Sequence, residues 1–91
     1  MANHRWSEAD DKLALYVYLF GVEKLATTVT DLARSHGIKP GSFRMRMKNF
    51  QALERKGGLV NWSDQSEKVF NRYRNTSEEE LRALVGPEHQ G

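Results

Sequence analysis

Ninety-one residues, 38% of them hydrophobic and 29% charged, suffice for one domain with one small core, and leave no room for a large substrate cleft plus a cofactor fold. The absence of cysteine excludes disulfides and thiolate metal sites and fits a reducing cytoplasm. The longest apolar run, Leu13 to Phe20, is too short to span a membrane, and the opening MANHRW lacks an apolar signal segment. The net charge of +2 hides a segregation. Residues 39–56, KPGSFRMRMKNFQALERK, hold six cations (Lys39, Arg44, Arg46, Lys48, Arg55, Lys56) against one acid, Glu54, for a formal +5. The remaining eight cations and eleven acids leave the rest of the chain at −3. A basic segment on a mildly acidic body points to a polyanionic or acidic partner.

Taken in order, residues 1–5 are polar and expected to fray. Ser7 reads as an N-cap, with Glu8, Asp10 and Asp11 in the first turn, where negative charge suits the helix dipole. This helix runs to about Phe20, with Gly21 as its C′ residue. Leu13, Tyr16, Val17 and Phe20 give it a wide inward face that Leu15 and Leu19 broaden, as a central helix requires. Trp6, just before the cap, folds back on the core. Residues 22–28 fit either a loop or a short helical turn.

Thr28 to Asp31 has capping-box spacing and opens a second helix, about Val29 to His36, with Leu32 and Ala33 inward. Gly37 ends it in a left-handed conformation, and Ile38 returns to the core. Pro40 suits the first position of a third helix, because no N–H is needed there and its φ is already helical. Phe43, Met47 and Phe50 recur at i, i+4 and i+7 and form its apolar stripe. A small residue at Ala33, a turn glycine at Gly37 and apolar anchors at Ile38 and Phe43 spell a helix-turn-helix; a plain helical hairpin shares the pattern.

After Arg55-Lys56-Gly57-Gly58 the pattern breaks. Leu59-Val60 is the one candidate for a wing within 55–62. Ser63 caps a fourth helix, Asp64 to Tyr73, with Val69, Phe70 and Tyr73 on one face. Thr76 to Glu79 is a capping box for a last helix, roughly Ser77 to Val85, with Leu81, Leu84 and Val85 on one side. The expectation is one all-α domain of four to five helices around a helix-turn-helix, homeodomain-like or winged-helix-like. Residues 6–74 form its core, 76–86 the C-terminal helical segment and 87–91 a disordered tail.

With Phe43, Met47 and Phe50 inward, Gly41, Arg44, Met45 and Lys48 project oppositely, and Ser42, Asn49 and Gln51 lie on the flanks. Arg44 and Lys48 can donate to guanine O6 and N7, and Asn49 or Gln51 can pair with adenine. Met45 suits the methyl group of thymine or 5-methylcytosine, or else packs on the fourth or fifth helix. Ser42 and the N–H groups near Gly41 can hold a phosphate at the helix start. Lys39, Arg55 and Lys56 flank the helix where phosphates run. Arg46 falls at the core edge, its stem packed and its head on a phosphate or an acidic neighbour. The base-directed set is therefore Ser42, Arg44, Met45, Lys48 and Asn49; the phosphate-directed set is Lys39, Gly41, Arg46, Arg55 and Lys56.

Catalysis finds little support. His4, His36 and His89 are far apart, no carboxylate pairs with a histidine at metal-ligand spacing, and no glycine-rich phosphate loop follows a strand. Asp10-Asp11 and Glu78 to Glu80 read as first-turn helix charges. No catalytic residue, metal or cofactor is expected.

Pro40-Gly41-Ser42-Phe43, Met45-Arg46-Met47, Asn49-Phe50 and Leu53-Glu54 resemble a PGSV-x-MKL-x-NF-x-x-LD signature found in an N-terminal DNA-binding-like domain of bacterial HNH endonucleases, restriction-type enzymes among them. Trp6 to Tyr18 is similar to that domain's W-T-x-x-E-x-x-LALYLY opening, and Gly58-Leu59-Val60-Asn61 through Val69-Phe70 to its GLSNGS…EVW segment. The likeness runs over residues 6–73. It implies a recognition module, since no His-Asn-His constellation is present. Lys39 replaces the expected Ser or Thr before the proline, adding charge and removing a cap. Some modification-dependent members sense modified cytosine. The RWS-x-x-DD opening also looks like a Myb/SANT start, but the later tryptophan spacing does not fit. The expected function is double-stranded DNA binding in the cytoplasm, nucleoid-associated, in transcription control or restriction-related recognition, with a dimer or a larger partner protein adding specificity. A module gripping an acidic protein partner is the alternative.

Overall fold

The computed structural model describes residues 6–55 and 63–85, and the expectations placed on the termini, on Lys56 and on a wing at 56–62 lie outside them. Within the described residues there are five α-helices and no strand: α1 (Glu8–Phe20), α2 (Val29–Ser35), α3 (Pro40–Arg55), α4 (Asp64–Tyr73) and α5 (Glu78–Val85), with a single 3-10 turn at Glu23–Leu25 between α1 and α2. No helix among them is long and apolar enough to cross a membrane.

The starts are set by side-chain caps. Ser7 and Asp10 form a reciprocal capping box, with Ser7 Oγ accepting from Asp10 N at 3.1 Å and Asp10 Oδ2 from Ser7 N at 3.1 Å. Thr28 caps α2 through Asp31 N (3.1 Å) and Ser63 caps α4 through Ser66 N (3.0 Å). The cap of α5 lies one residue beyond the Thr76–Glu79 box. Thr76 N continues the turn of α4 by donating to Tyr73 O (3.0 Å), so Ser77 takes the cap and accepts from Glu80 N (3.2 Å).

Helix α1 is the hub, packing against α3, α4 and α5, while α2 packs on α3 and α3 on α4. Five consecutive residues, Leu13 to Val17, are buried, which requires neighbours around most of its circumference. Ala14 and Ala33, both fully buried, mark close approaches. The core is completed by Leu32, Ile38, Phe43, Phe50, Leu53, Val69, Phe70 and Leu81, with the Phe50 and Phe70 rings stacked at 6.2 Å. Two residues expected inward are exposed: Phe20, at the last turn of α1, and Leu84, on the outer side of α5. Phe20 keeps a ring contact with Tyr16 at 5.5 Å, and α5 buries Leu81 and Val85.

One carboxylate ties three helices together. Asp11 is fully buried, and its two oxygens accept four bonds. Oδ1 receives Arg46 Nε (2.7 Å) and Ser66 Oγ (3.1 Å), and Oδ2 receives Arg46 Nη2 (3.2 Å) and Gln65 Nε2 (2.6 Å). Gln65 Nε2 also donates to Trp6 O at 3.1 Å, and the Arg46 guanidinium lies 4.3 Å from the Trp6 ring centroid. Among the described residues no buried side-chain N or O lacks a partner. First-turn charge is thus the lesser part of what Asp11 does; it is the polar centre of the α1–α3–α4 contact.

A second polar tie joins α1 to α5. Tyr16 donates to Glu78 Oε2 at 2.6 Å, and the same oxygen receives Arg82 Nε at 2.8 Å, with Lys24 Nζ 3.9 Å from Oε1. The Tyr16 hydrogen bond and the two cations hold the Glu78 carboxyl below its usual range. Burial, with the Glu78 hydrogen bond second, pushes Tyr16 up from 10.0 to about 12. Burial and then Glu54, which accepts from the Tyr18 hydroxyl, push Tyr18 to about 12 as well.

Two outcomes follow from these ties. Asp11→Ala leaves the Arg46 guanidinium buried and unpaired, and urea unfolding is expected to register a loss of about 3–5 kcal/mol. The double variant Asp11→Leu/Arg46→Met is expected to recover most of that loss; equal losses in both would show that packing rather than pairing dominates. In alkali the fold favours neutral Tyr16 and Tyr18, so their stabilisation is complete below pH 10 and disappears as pH rises through about 12. Tyrosinate absorbance is expected to show two groups titrating near 12, one vanishing in Tyr16→Phe and the other in Tyr18→Phe.

Candidate nucleic-acid interface

The basic helix is presented by the turn before it. At the end of α2, Gly37 adopts φ +72°, Gly37 N donates to Arg34 O (3.0 Å) and Ile38 N to Ala33 O (2.9 Å). This double bond pattern is the Schellman motif, and it delivers Ile38 into the core at 2% exposure. Lys39 then offers its carbonyl to Phe43 N (3.0 Å) and Pro40 opens α3. A lysine side chain has no acceptor for the first N–H groups, so those of Gly41 and Ser42 end at an exposed surface.

Helix α3 buries Phe43, Phe50, Ala52 and Leu53 and half-buries Met47. Gly41, Ser42, Arg44, Met45 and Lys48 are exposed, Asn49 is half-buried on the flank, and Gln51 is exposed. Met45 is 56% exposed, which removes packing on α4 or α5 as its role. Lys39 and Arg55 stand exposed at the two ends. Among the described residues no carboxylate lies within 4.0 Å of Lys39, Arg44, Lys48 or Arg55, so none of these four is held in a described ion pair.

Arg46 departs from its place in the phosphate-directed set. Its side chain is 14% exposed and forked onto Asp11, so the acidic neighbour, not a phosphate, takes the head group. The physical reason is its angle on the helix: it lies on the α1 side of the stripe, where the fully buried Asp11 carboxylate has to be paired.

Three residues of this surface carried no signal in the sequence. Thr30 Oγ1 accepts from Arg44 Nη2 at 3.0 Å and so orients the guanidinium from the neighbouring helix. Tyr18 and Val29, with Met47 and Gln51, line an open depression of about 360 Å³ whose rim is Arg44 and Lys48. Each depends on how α1 and α2 cross α3, and periodicity along one helix does not specify a crossing. Among the described residues no group of three or more His, Cys, Asp or Glu could hold a metal ion.

No family model, curated protein or solved structure matches this chain.

The turn supplies a test of how the helix is presented. A Cβ at Gly37 meets nothing within 4 Å, so the cost of substitution is conformational. Gly37→Ala is expected to lower stability by about 1 kcal/mol in urea titration, and Gly37→Asn by less, because asparagine tolerates positive φ. A loss of several kcal/mol in Gly37→Ala would contradict the open space.

Proposed function

We propose that this chain binds double-stranded DNA, with α2 and α3 acting as a helix-turn-helix of homeodomain-like or winged-helix-like type and α3 lying in the major groove. The observation that carries the reading is the outward face of α3, where Arg44, Met45 and Lys48 stand exposed and no described carboxylate lies within 4.0 Å of the two cations. A surface like this costs self-repulsion in the free protein, and a polyanion relieves it.

In this reading Arg44, held by Thr30, and Lys48 donate to guanine O6 and N7. Met45 meets the methyl of thymine or 5-methylcytosine, and Ser42 and Asn49 reach the bases from the flanks. Lys39, Arg55, Lys56 and the N–H of Gly41 take phosphates. The arrangement suits transcription control or restriction-related recognition, in line with the HNH-associated signature. One such helix reads few base pairs, so a dimer or a larger partner is expected to complete the site.

The depression between Arg44 and Lys48 favours a second reading, an acidic peptide that places an apolar side chain over Val29 and Met47. One titration separates the two. For a duplex recovered from a random pool by the wild-type protein, about three phosphate-directed cations at α3 are expected to contribute about −2.7 to the slope of log K against log salt. Arg44→Ala/Lys48→Ala is expected to weaken binding about tenfold or more. A salt-insensitive Kd rejects DNA, and one unchanged in that variant rejects α3 as its surface; either outcome leaves α3 to the peptide.

A further inference from the structure

A second cluster of cations lies away from α3. Lys12 Nζ and the Arg72 guanidinium each sit 5.3 Å from the centroid of the Tyr73 ring, so they are no more than about twice that distance apart. Lys68 precedes Arg72 by four residues and shares its exposed strip on α4, while Ser66, Val69 and Phe70 are buried. Between the strip and α1 runs a shallow groove lined by Glu8, Gln65, Lys68 and Val69. In that lining Glu8 is the one acid and Lys68 the one cation. No described carboxylate lies within 4.0 Å of Lys12, Lys68 or Arg72. Arg74 leaves the strip and stacks over Phe70 at 4.6 Å.

We propose that Lys12 and Arg72, brought together at Tyr73, and Lys68, one helical turn before Arg72 on α4, form a second phosphodiester-binding surface that holds nucleic-acid backbone independently of α3. Like charges one helical turn apart destabilise a free helix, and Lys12 adds a third from the neighbouring one. Cation–π contact with Tyr73 fixes two of the three without neutralising them. A chain of phosphates, with its regular spacing of charge, suits three cations in a row and needs no pocket. An acidic peptide would need an apolar anchor, and the groove offers only Val69.

The location separates this surface from the first. Helices α1 and α4 pack against the buried side of α3, whereas Arg44, Met45 and Lys48 leave its other side. In the α3 reading, a straight duplex is not expected to reach the α1–α4 face. The backbone there comes either from the same duplex, bent round the protein, or from a second duplex. The inference goes beyond the α3 reading and does not rest on it.

The test uses the full chain and a random-sequence duplex. Lys68→Gln/Arg72→Gln changes exposed positions only. Its salt slope is expected to be shallower than that of the wild type by about 1.8, or about 0.9 per phosphate. An unchanged slope overturns the proposal, whatever Arg44→Ala/Lys48→Ala does in parallel. A loss in Lys68→Gln/Arg72→Gln with none in Arg44→Ala/Lys48→Ala keeps this surface and removes α3. Absence of any salt-dependent binding by the wild type overturns both. A capture assay then identifies the source. Retention of a labelled free duplex by protein on an immobilised one, lost in Lys68→Gln/Arg72→Gln, assigns a second duplex. No retention, with end-to-end shortening of a doubly labelled duplex, assigns the bent one.

Discussion

The carboxylate of Asp11 governs how the other elements are arranged. A buried charge is tolerated only when its oxygens are saturated, and saturation here draws one donor group from α3 and two from α4 to a single point on α1. Arg46 is the decisive donor. Its fork fits both oxygens, and its plane covers the Trp6 ring, so Trp6 is held by the same group. Ser66 extends the network into the cap of α4, since its backbone N–H and hydroxyl both meet Ser63 Oγ, at 3.0 Å each. The apolar core supplies cohesion between the helices; the directional bonds select one register among the ways Phe43, Phe50 and Phe70 could interleave.

That register has a consequence for the outer surface. With Arg46 drawn to α1, rotation of α3 about its axis is fixed, and residues 44, 45 and 48 are turned away from the body. The Schellman turn at Gly37 fixes the other end of α3 by delivering Ile38 to the core. A helix held at its start by an apolar anchor and in its first half by a buried ion pair is a rigid platform for long cationic side chains. Arg44 is further restrained by Thr30, so part of the ordering cost of a contact is already met before any partner arrives.

The chemistry of a helix can be read from its own residues far better than its neighbours can. Boundaries of α1, α3 and α4 follow from Ser7, Pro40 and Ser63, since a cap acts within three residues of itself. The exposed set on α3 follows from winding Phe43 and Phe50 inward. The cap of α5 slipped by one residue because Thr76 was already bound to the turn of α4, a competition between adjacent elements that spacing alone does not resolve. Leu84 and Phe20 are exposed because a helix two turns long cannot cover all the apolar positions that periodicity offers it. Lys12 and Arg72 come from two helices and meet at the Tyr73 ring, so a sequence whose charge is densest in α3 does not bring them out.

What this sequence determined by itself is local: helical spans, their caps, the left-handed glycine between α2 and α3, and a basic face on α3. Each is decided by residues within one or two turns of one another, where backbone geometry makes distances calculable. The tertiary structure decided which charges are available. Asp11 and Arg46 carry the same formal charge as their neighbours Asp10 and Lys48, yet they neutralise each other in the interior while Lys48 faces solvent. Pairing across 35 residues depends on the crossing of α1 and α3, and that crossing is set by the packing of aromatic rings and the saturation of one buried carboxylate, neither of which is written in any single stretch of the chain.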